Sequence, residues 1–111
     1  MEMDNRWIAD YNKAADIIKS EMKDKLSKFE LLEENLQEKT YYYYLVYKYQ
    51  DIVIKLGGDQ GYVMLNLKIN GITADLYRQE KGFDELEVAS ENNFIIAVGL
   101  LKEYLEKNKL I

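Results

Sequence analysis

The chain contains no cysteine, no histidine and no proline. Without cysteine there can be no disulfide, thiol nucleophile or thiolate metal site. Without histidine the usual general base near neutral pH and the commonest transition-metal ligand are gone. No apolar run is long enough to span a membrane, and Met1–Asp10 shows no signal-peptide pattern. A soluble, cytoplasmic protein with no membrane partner is therefore expected. Positive charge is also short: 15 Lys and Arg against 20 Asp and Glu give a net charge of −5. That balance argues against direct nucleic-acid binding, which needs a basic face to displace counterions. It suits a basic protein partner, because complementary charge speeds encounter.

Other signatures are missing too. Gly57–Gly61 has no following Lys-Ser/Thr and leads into a strand, so it reads as a turn, not a phosphate loop. No D-x-D-x-D-G loop with a terminal Glu is present, so no calcium site is expected. Asp51, Asp59 and Asp75 lie at turns or on the polar side of a strand, with nothing to converge two of them on a substrate. The expectation is a non-enzyme with no catalytic residues, no metal and no cofactor.

What is present fits a single domain over residues 1–111, and 48% hydrophobic residues can supply a core. The clearest local signal is Val63–Tyr77, VMLNLKINGITADLY. Asn70-Gly71 between alternating apolar residues predicts a hairpin with a two-residue turn. That register pairs Ile69 with Ile72, Leu67 with Ala74 and Leu65 with Leu76 on one face. It pairs Lys68 with Thr73, Asn66 with Asp75 and Met64 with Tyr77 on the other. Upstream, Trp7, Tyr11, Ala14, Ile18, Met22, Leu26, Phe29, Leu32 and Leu36 recur every three or four residues, predicting helix over 4–38. Ser27 and Glu30 fit a capping box that would start a second helix. The stripe keeps its phase through Ser27, which favours one long helix, kinked or straight.

Thr40–Tyr49 and Asp51–Leu56 read as strands, with a hairpin preferred at Lys48–Asp51. Strands are placed at 41–48, 51–56, 62–69 and 72–78. Residues 79–90 form a loop, and Phe83, Leu86 and Val88 tuck it onto the core. Ser90 caps a final helix whose buried stripe is Phe94, Ala97, Val98, Leu101, Tyr104 and Leu105. Gly99 within that helix suggests a close approach to a strand or to the first helix. The fold class is α+β in the order α-β-β-β-β-α: a long N-terminal helix, a four-stranded antiparallel meander and a C-terminal helix. Both helices pack on one sheet face.

Tyrosine is the surplus residue, with ten in the chain and four in a row at Tyr41–Tyr44. Alternation splits the run: Tyr41 and Tyr43 face one way, Tyr42 and Tyr44 the other, so one pair serves the core and the other the surface. Tyrosine suits interfaces because it brings rigid area with a polar tip. The acidic stretch from Glu80 to Glu91 is the other candidate contact. With both helices on one side, the other face of the hairpin, including Asn66, Asp75 and Tyr77, lies open. Together these give a partner-binding set of Tyr41, Tyr43, Asn66, Asp75, Tyr77, Glu80, Asp84, Glu85 and Glu87.

The segment DIVIKLGGDQGYVML (Asp51–Leu65), with the polar hairpin and the helix NFIIAVGLLKEYL (Asn93–Leu105), resembles small bacterial immunity proteins. These are encoded beside polymorphic toxins or contact-dependent growth inhibition toxins. The likeness runs from Asp51 onward and is one of layout, so no family binding residue carries over. It implies a cytoplasmic inhibitor that binds and blocks a cognate toxin domain, often a basic nuclease. Two other readings stay open. One is a phage-derived or host regulatory inhibitor that mimics nucleic-acid charge. The other is a structural or oligomerising module.

Overall fold

The structure, a computed structural model, describes residues 7–37, 42–76, 82–83 and 86–111. Helix α1 spans Tyr11–Lys25, and five strands follow: β1 Glu30–Gln37, β2 Tyr42–Tyr49, β3 Ile52–Asp59, β4 Tyr62–Ile69 and β5 Ile72–Thr73. Helix α2, Glu91–Lys107, closes the chain. The strands form one antiparallel sheet in sequential order.

Residues 4–38 are not one helix. The Asp10 carboxylate caps α1, accepting from the N–H groups of Asn12 (3.0 Å) and Lys13 (3.3 Å). The helix ends with Leu26 as its C-cap, and Glu30–Gln37 becomes β1. Ser27 and Glu30 therefore start no second helix. Intrinsic preferences of Leu, Glu and Gln for helix amount to tenths of a kcal/mol per residue. Pairing along β2 and packing of Leu36 onto the core outweigh them.

The central strands repeat with a period of ten: eight residues of β2, β3 and β4, separated by two-residue turns. Gln60-Gly61 and Asn70-Gly71 have positive φ at both positions, as a type I′ turn requires. Gln50 has φ 54 in the Gln50–Asp51 turn, so the preferred hairpin there is present. Gly57 and Gly58 are not part of a turn; they lie within β3, opposite Tyr44 and Tyr43.

The Asn70-Gly71 hairpin keeps its expected register for Ile69↔Ile72 and Lys68↔Thr73. One further bond, from the Ala74 N–H to the Leu67 carbonyl (2.8 Å), follows, and then the chain leaves the sheet. The β4–β5 ladder therefore stops short of Leu65, and the expected Leu65–Leu76 pair does not form in it. Ile72 is 73% exposed, so the hairpin tip projects beyond the core.

Both helices pack on one face of the sheet. That face buries Tyr43, Leu45, Tyr47, Ile52, Ile54, Leu56 and Leu67 against Tyr11, Ala14, Ile18 and Met22 of α1. From α2, the expected stripe of Phe94, Ala97, Val98, Leu101, Tyr104 and Leu105 is buried in full. Ser90 caps that helix, its hydroxyl accepting from the Asn93 N–H at 3.2 Å. Gly99 meets α1 through a side chain: a Cβ there would come 3.9 Å from Lys25 Nζ. Lys25 lies across α2, paired with Glu21 and 3.5 Å from the Ile95 carbonyl oxygen. That contact distance is ordinary, so Gly99→Ala is expected to raise stability by up to about 1 kcal/mol through helix propensity. A shift of the urea midpoint to higher concentration, at unchanged slope, checks it.

Candidate functional site: the open face of the sheet

Alternation that buries one side of β2 and β3 turns the other side outward. Among the described residues no helix covers this second face. It carries Glu33 and Asn35 from β1, Tyr42, Tyr44, Val46 and Lys48 from β2, Val53, Lys55 and Asp59 from β3, and Tyr62, Met64, Asn66 and Lys68 from β4.

Its most connected part is built around Tyr44. Asn35 Nδ2 donates to the Tyr44 hydroxyl at 3.3 Å, and that hydroxyl donates to Glu33 Oε1 at 3.2 Å. Lys55 Nζ sits 4.1 Å from the Tyr44 ring centroid and 5.7 Å from that of Tyr42. The two rings meet edge to face, with centroids 5.4 Å apart and planes at 64°. This is favourable geometry for the ring quadrupoles and for the cation over them. Gly57 stands opposite Tyr44 and gives the cluster no side-chain neighbour at that position. Two aromatic rings, a cation and a carboxylate are therefore joined by direct contacts in one cluster.

The Lys55 ammonium is held above its ordinary pKa. A side-chain hydrogen bond with Tyr42 is the main cause, helped by the charges of Tyr42, Tyr44 and Glu33 and opposed by partial burial. Lys55 therefore stays protonated near neutral pH and offers a cation and donors, not a nucleophile. Among the described residues no group of three carboxylates is placed to hold a metal ion.

The sequence-derived candidates do not form one patch. Tyr43 is a correction: it is 1% exposed, with its ring 5.0 Å from that of Tyr11 and 6.4 Å from that of Phe94. It is a core residue with no surface to offer, and the surface pair is Tyr42 and Tyr44. Asn66 lies on the open face, but opposite Lys55. Asp75 is exposed past the end of β5, so the expected pairing with Asn66 does not form. Glu87 is exposed on another side, where its carbonyl accepts from the Val63 N–H at 2.9 Å. Tyr41, Tyr77, Glu80, Asp84 and Glu85 lie outside the described residues.

Glu87 belongs to a short extended segment bridged to both Trp7 and Tyr62. Ile8 N–H donates to the Ala89 carbonyl (3.0 Å), and Ala89 N–H donates to the Gly61 carbonyl (2.8 Å). The segment leaves Trp7, Tyr62 and Val88 partly exposed near one end of β4, so Val88 does not tuck into the core as expected.

Sequence reasoning missed Glu33, Asn35, Tyr42, Tyr44 and Lys55. A signal for the tyrosines was present. Lys48 shares a phase with Tyr42, Tyr44 and Val46, while Leu45 shares one with Tyr43 and Tyr47. The lysine marks the outward phase. No helix among the described residues is long and apolar enough to cross a membrane. Compared with protein-family models, curated proteins and solved structures, the chain matches none of them.

Proposed function

We propose that this chain is a non-enzymatic inhibitor that binds one basic protein partner, in the manner of an immunity protein that neutralises a toxin domain. The observation that carries this reading is the mutually contacting Tyr42–Tyr44–Lys55–Glu33 cluster on a sheet face with no described cover. Rigid aromatic anchors bind with little ordering cost, and tyrosines are over-represented among residues that dominate interfaces. The net charge of −5 favours encounter with a basic partner. A mimic of nucleic-acid charge would need a row of carboxylates spaced like phosphates. Lys48, Lys55 and Lys68 interrupt any such row on the described part of this face.

The test begins with the genes beside this one and with capture of a partner by the tagged chain from its native cells. Tyr44→Ala is then expected to weaken the complex by about 2 kcal/mol, roughly 30-fold in Kd. Its thermal midpoint should stay within a few degrees of the parent's, because Tyr44 lies on the outward face. A neighbourhood with no toxin gene and no captured protein would sink the inhibitor reading. Full-strength binding by both Tyr44→Ala and Lys55→Ala would move the contact to another surface.

A further inference from the structure

β1 is the outer strand of the sheet, and no described residue pairs with its far edge. A free edge presents backbone donors and acceptors to any extended chain, and proteins commonly guard it with charged side chains, proline, a bulge or a very short strand. β1 is guarded by a bulge and by negative charge alone, which repels an acidic strand but suits a basic one. It is eight residues long, ELLEENLQ, with neither lysine nor proline. Its one irregularity is the bulge between Leu31 and Glu33, which leaves Glu33–Gln37 as a regular run.

Every charge on the strand is negative. The bulge sets Glu33 opposite Val46 on the open face and Glu34 opposite Leu45 on the helix face. A strand laid along this edge would meet a carboxylate on each of its own faces. Glu34 is engaged by Lys19 at 2.8 Å, but in a surface pair with side chains 38% and 32% exposed, which an incoming guanidinium can displace. Leu32 is 57% exposed at the bulge and adds an apolar contact at that end.

We propose that the β1 edge takes up an extended basic segment of a partner protein as a sixth strand. This rests on the inhibitor reading and adds how the partner is held. Backbone bonds supply the grip, while Glu33 and Glu34 select lysine or arginine at positions facing opposite ways. The neighbouring Tyr44 cluster continues the site onto the open face, since Glu33 already holds the Tyr44 hydroxyl. A second copy of the chain is a poor occupant. Pairing two β1 strands would put Glu30, Glu33 and Glu34 of both copies into one ladder, with no lysine or arginine on either strand to offset them.

The experiment uses the full chain, isotope-labelled, and two synthetic peptides. One alternates lysine or arginine with valine or threonine over nine residues; its twin carries glutamate at every basic position. The basic peptide is expected to shift the amide signals of Glu33–Gln37 and slow their hydrogen exchange. The twin should bind at least roughly tenfold more weakly, and the double variant Glu33→Lys/Glu34→Lys should reverse that preference. A melting curve establishes that the variant is folded, and Glu33→Gln/Glu34→Gln serves in its place if it is not, with loss of preference as the expected result. Equal binding of both peptides, no binding, or shifts confined to other strands overturns the proposal. So does a concentration-dependent dimer that protects the same amides. Capture of a partner whose footprint leaves the β1 amides exchanging freely ends the sixth-strand proposal and keeps the inhibitor reading. Peptide binding at β1 in a chain with no captured partner does the reverse.

Discussion

Gly57→Ala is expected to destabilise the protein by about 3 kcal/mol or more, and to lower its thermal midpoint by roughly 10–20 °C. An added Cβ would lie 1.9 Å from the Tyr43 carbonyl oxygen and 2.6 Å from the Tyr44 Cα. Both are backbone atoms of the paired strand, so no rotamer change relieves the clash. Relief requires β2 and β3 to part where Tyr44 faces Gly57, in the interior of the sheet. Gly58→Ala is the informative comparison. Its Cβ would meet the Tyr43 ring at 2.7–2.8 Å. A ring can slide where a backbone cannot, and the expected loss is about 1–2 kcal/mol. Gly71→Ala meets nothing within 4 Å but sits at φ +81, so only local strain of about 1–2 kcal/mol is expected. Denaturant unfolding of the three variants should rank Gly57 as the most costly. A Gly57→Ala protein melting within a few degrees of the parent would contradict the close approach of β2 and β3.

The two glycines also show what a sequence can and cannot reveal. Gly57 and Gly58 look like part of a five-residue turn because glycine is the commonest breaker. In the fold they are strand residues, needed because the Tyr43 ring and the β2 backbone occupy the space a side chain would fill. That requirement comes from the neighbouring strand and leaves no trace in local composition. The same holds for β1. Its inward positions are Leu31, Glu34 and Leu36, a spacing of three then two created by the bulge. The bulge erases the alternation that would mark a strand, and Leu32–Leu36 then falls into helical phase with the real helix before it. Where periodicity is undisturbed, the sequence was sufficient. The α2 stripe, its Ser90 cap, the Asn70-Gly71 turn and the packing of both helices on one sheet face all follow from it. Of the candidate site, the tyrosine run was visible and its alternation correct. Which phase faces outward depended on Lys48, and the partners of Tyr44 depended on β1, which was not visible as a strand.

The buried member of that run carries the second large effect. Tyr43→Phe is expected to raise stability by about 1 kcal/mol at neutral pH, with a much larger gain in alkali. The Tyr43 hydroxyl is enclosed with no hydrogen-bond partner among the described residues. Removing an unsatisfied buried hydroxyl while keeping the ring retains the Tyr11 and Phe94 contacts and relieves a desolvation cost. The pH dependence follows from the same burial. Desolvation, and then the charge of Tyr11, push the Tyr43 pKa far above the ordinary tyrosine value. In the unfolded chain Tyr43 loses its proton near pH ~10, while in the folded core it does not. Between those two values the folded state holds one more proton, so stability falls as pH rises, by about 1.4 kcal/mol per pH unit. Below pH ~10 that contribution is fully present and the slope vanishes. Tyr47, raised by burial and then by Glu34, acts with the same sign but is common to parent and variant. The gap between Tyr43→Phe and parent should therefore be flat from pH 7 to 9 and widen by about 2–3 kcal/mol by pH ~12. Urea midpoints across that range measure it. Absorbance near 295 nm should show one tyrosinate fewer appearing with unfolding in the variant. A gap that stays constant into alkali would mean that Tyr43 reaches solvent or a hydrogen-bond partner.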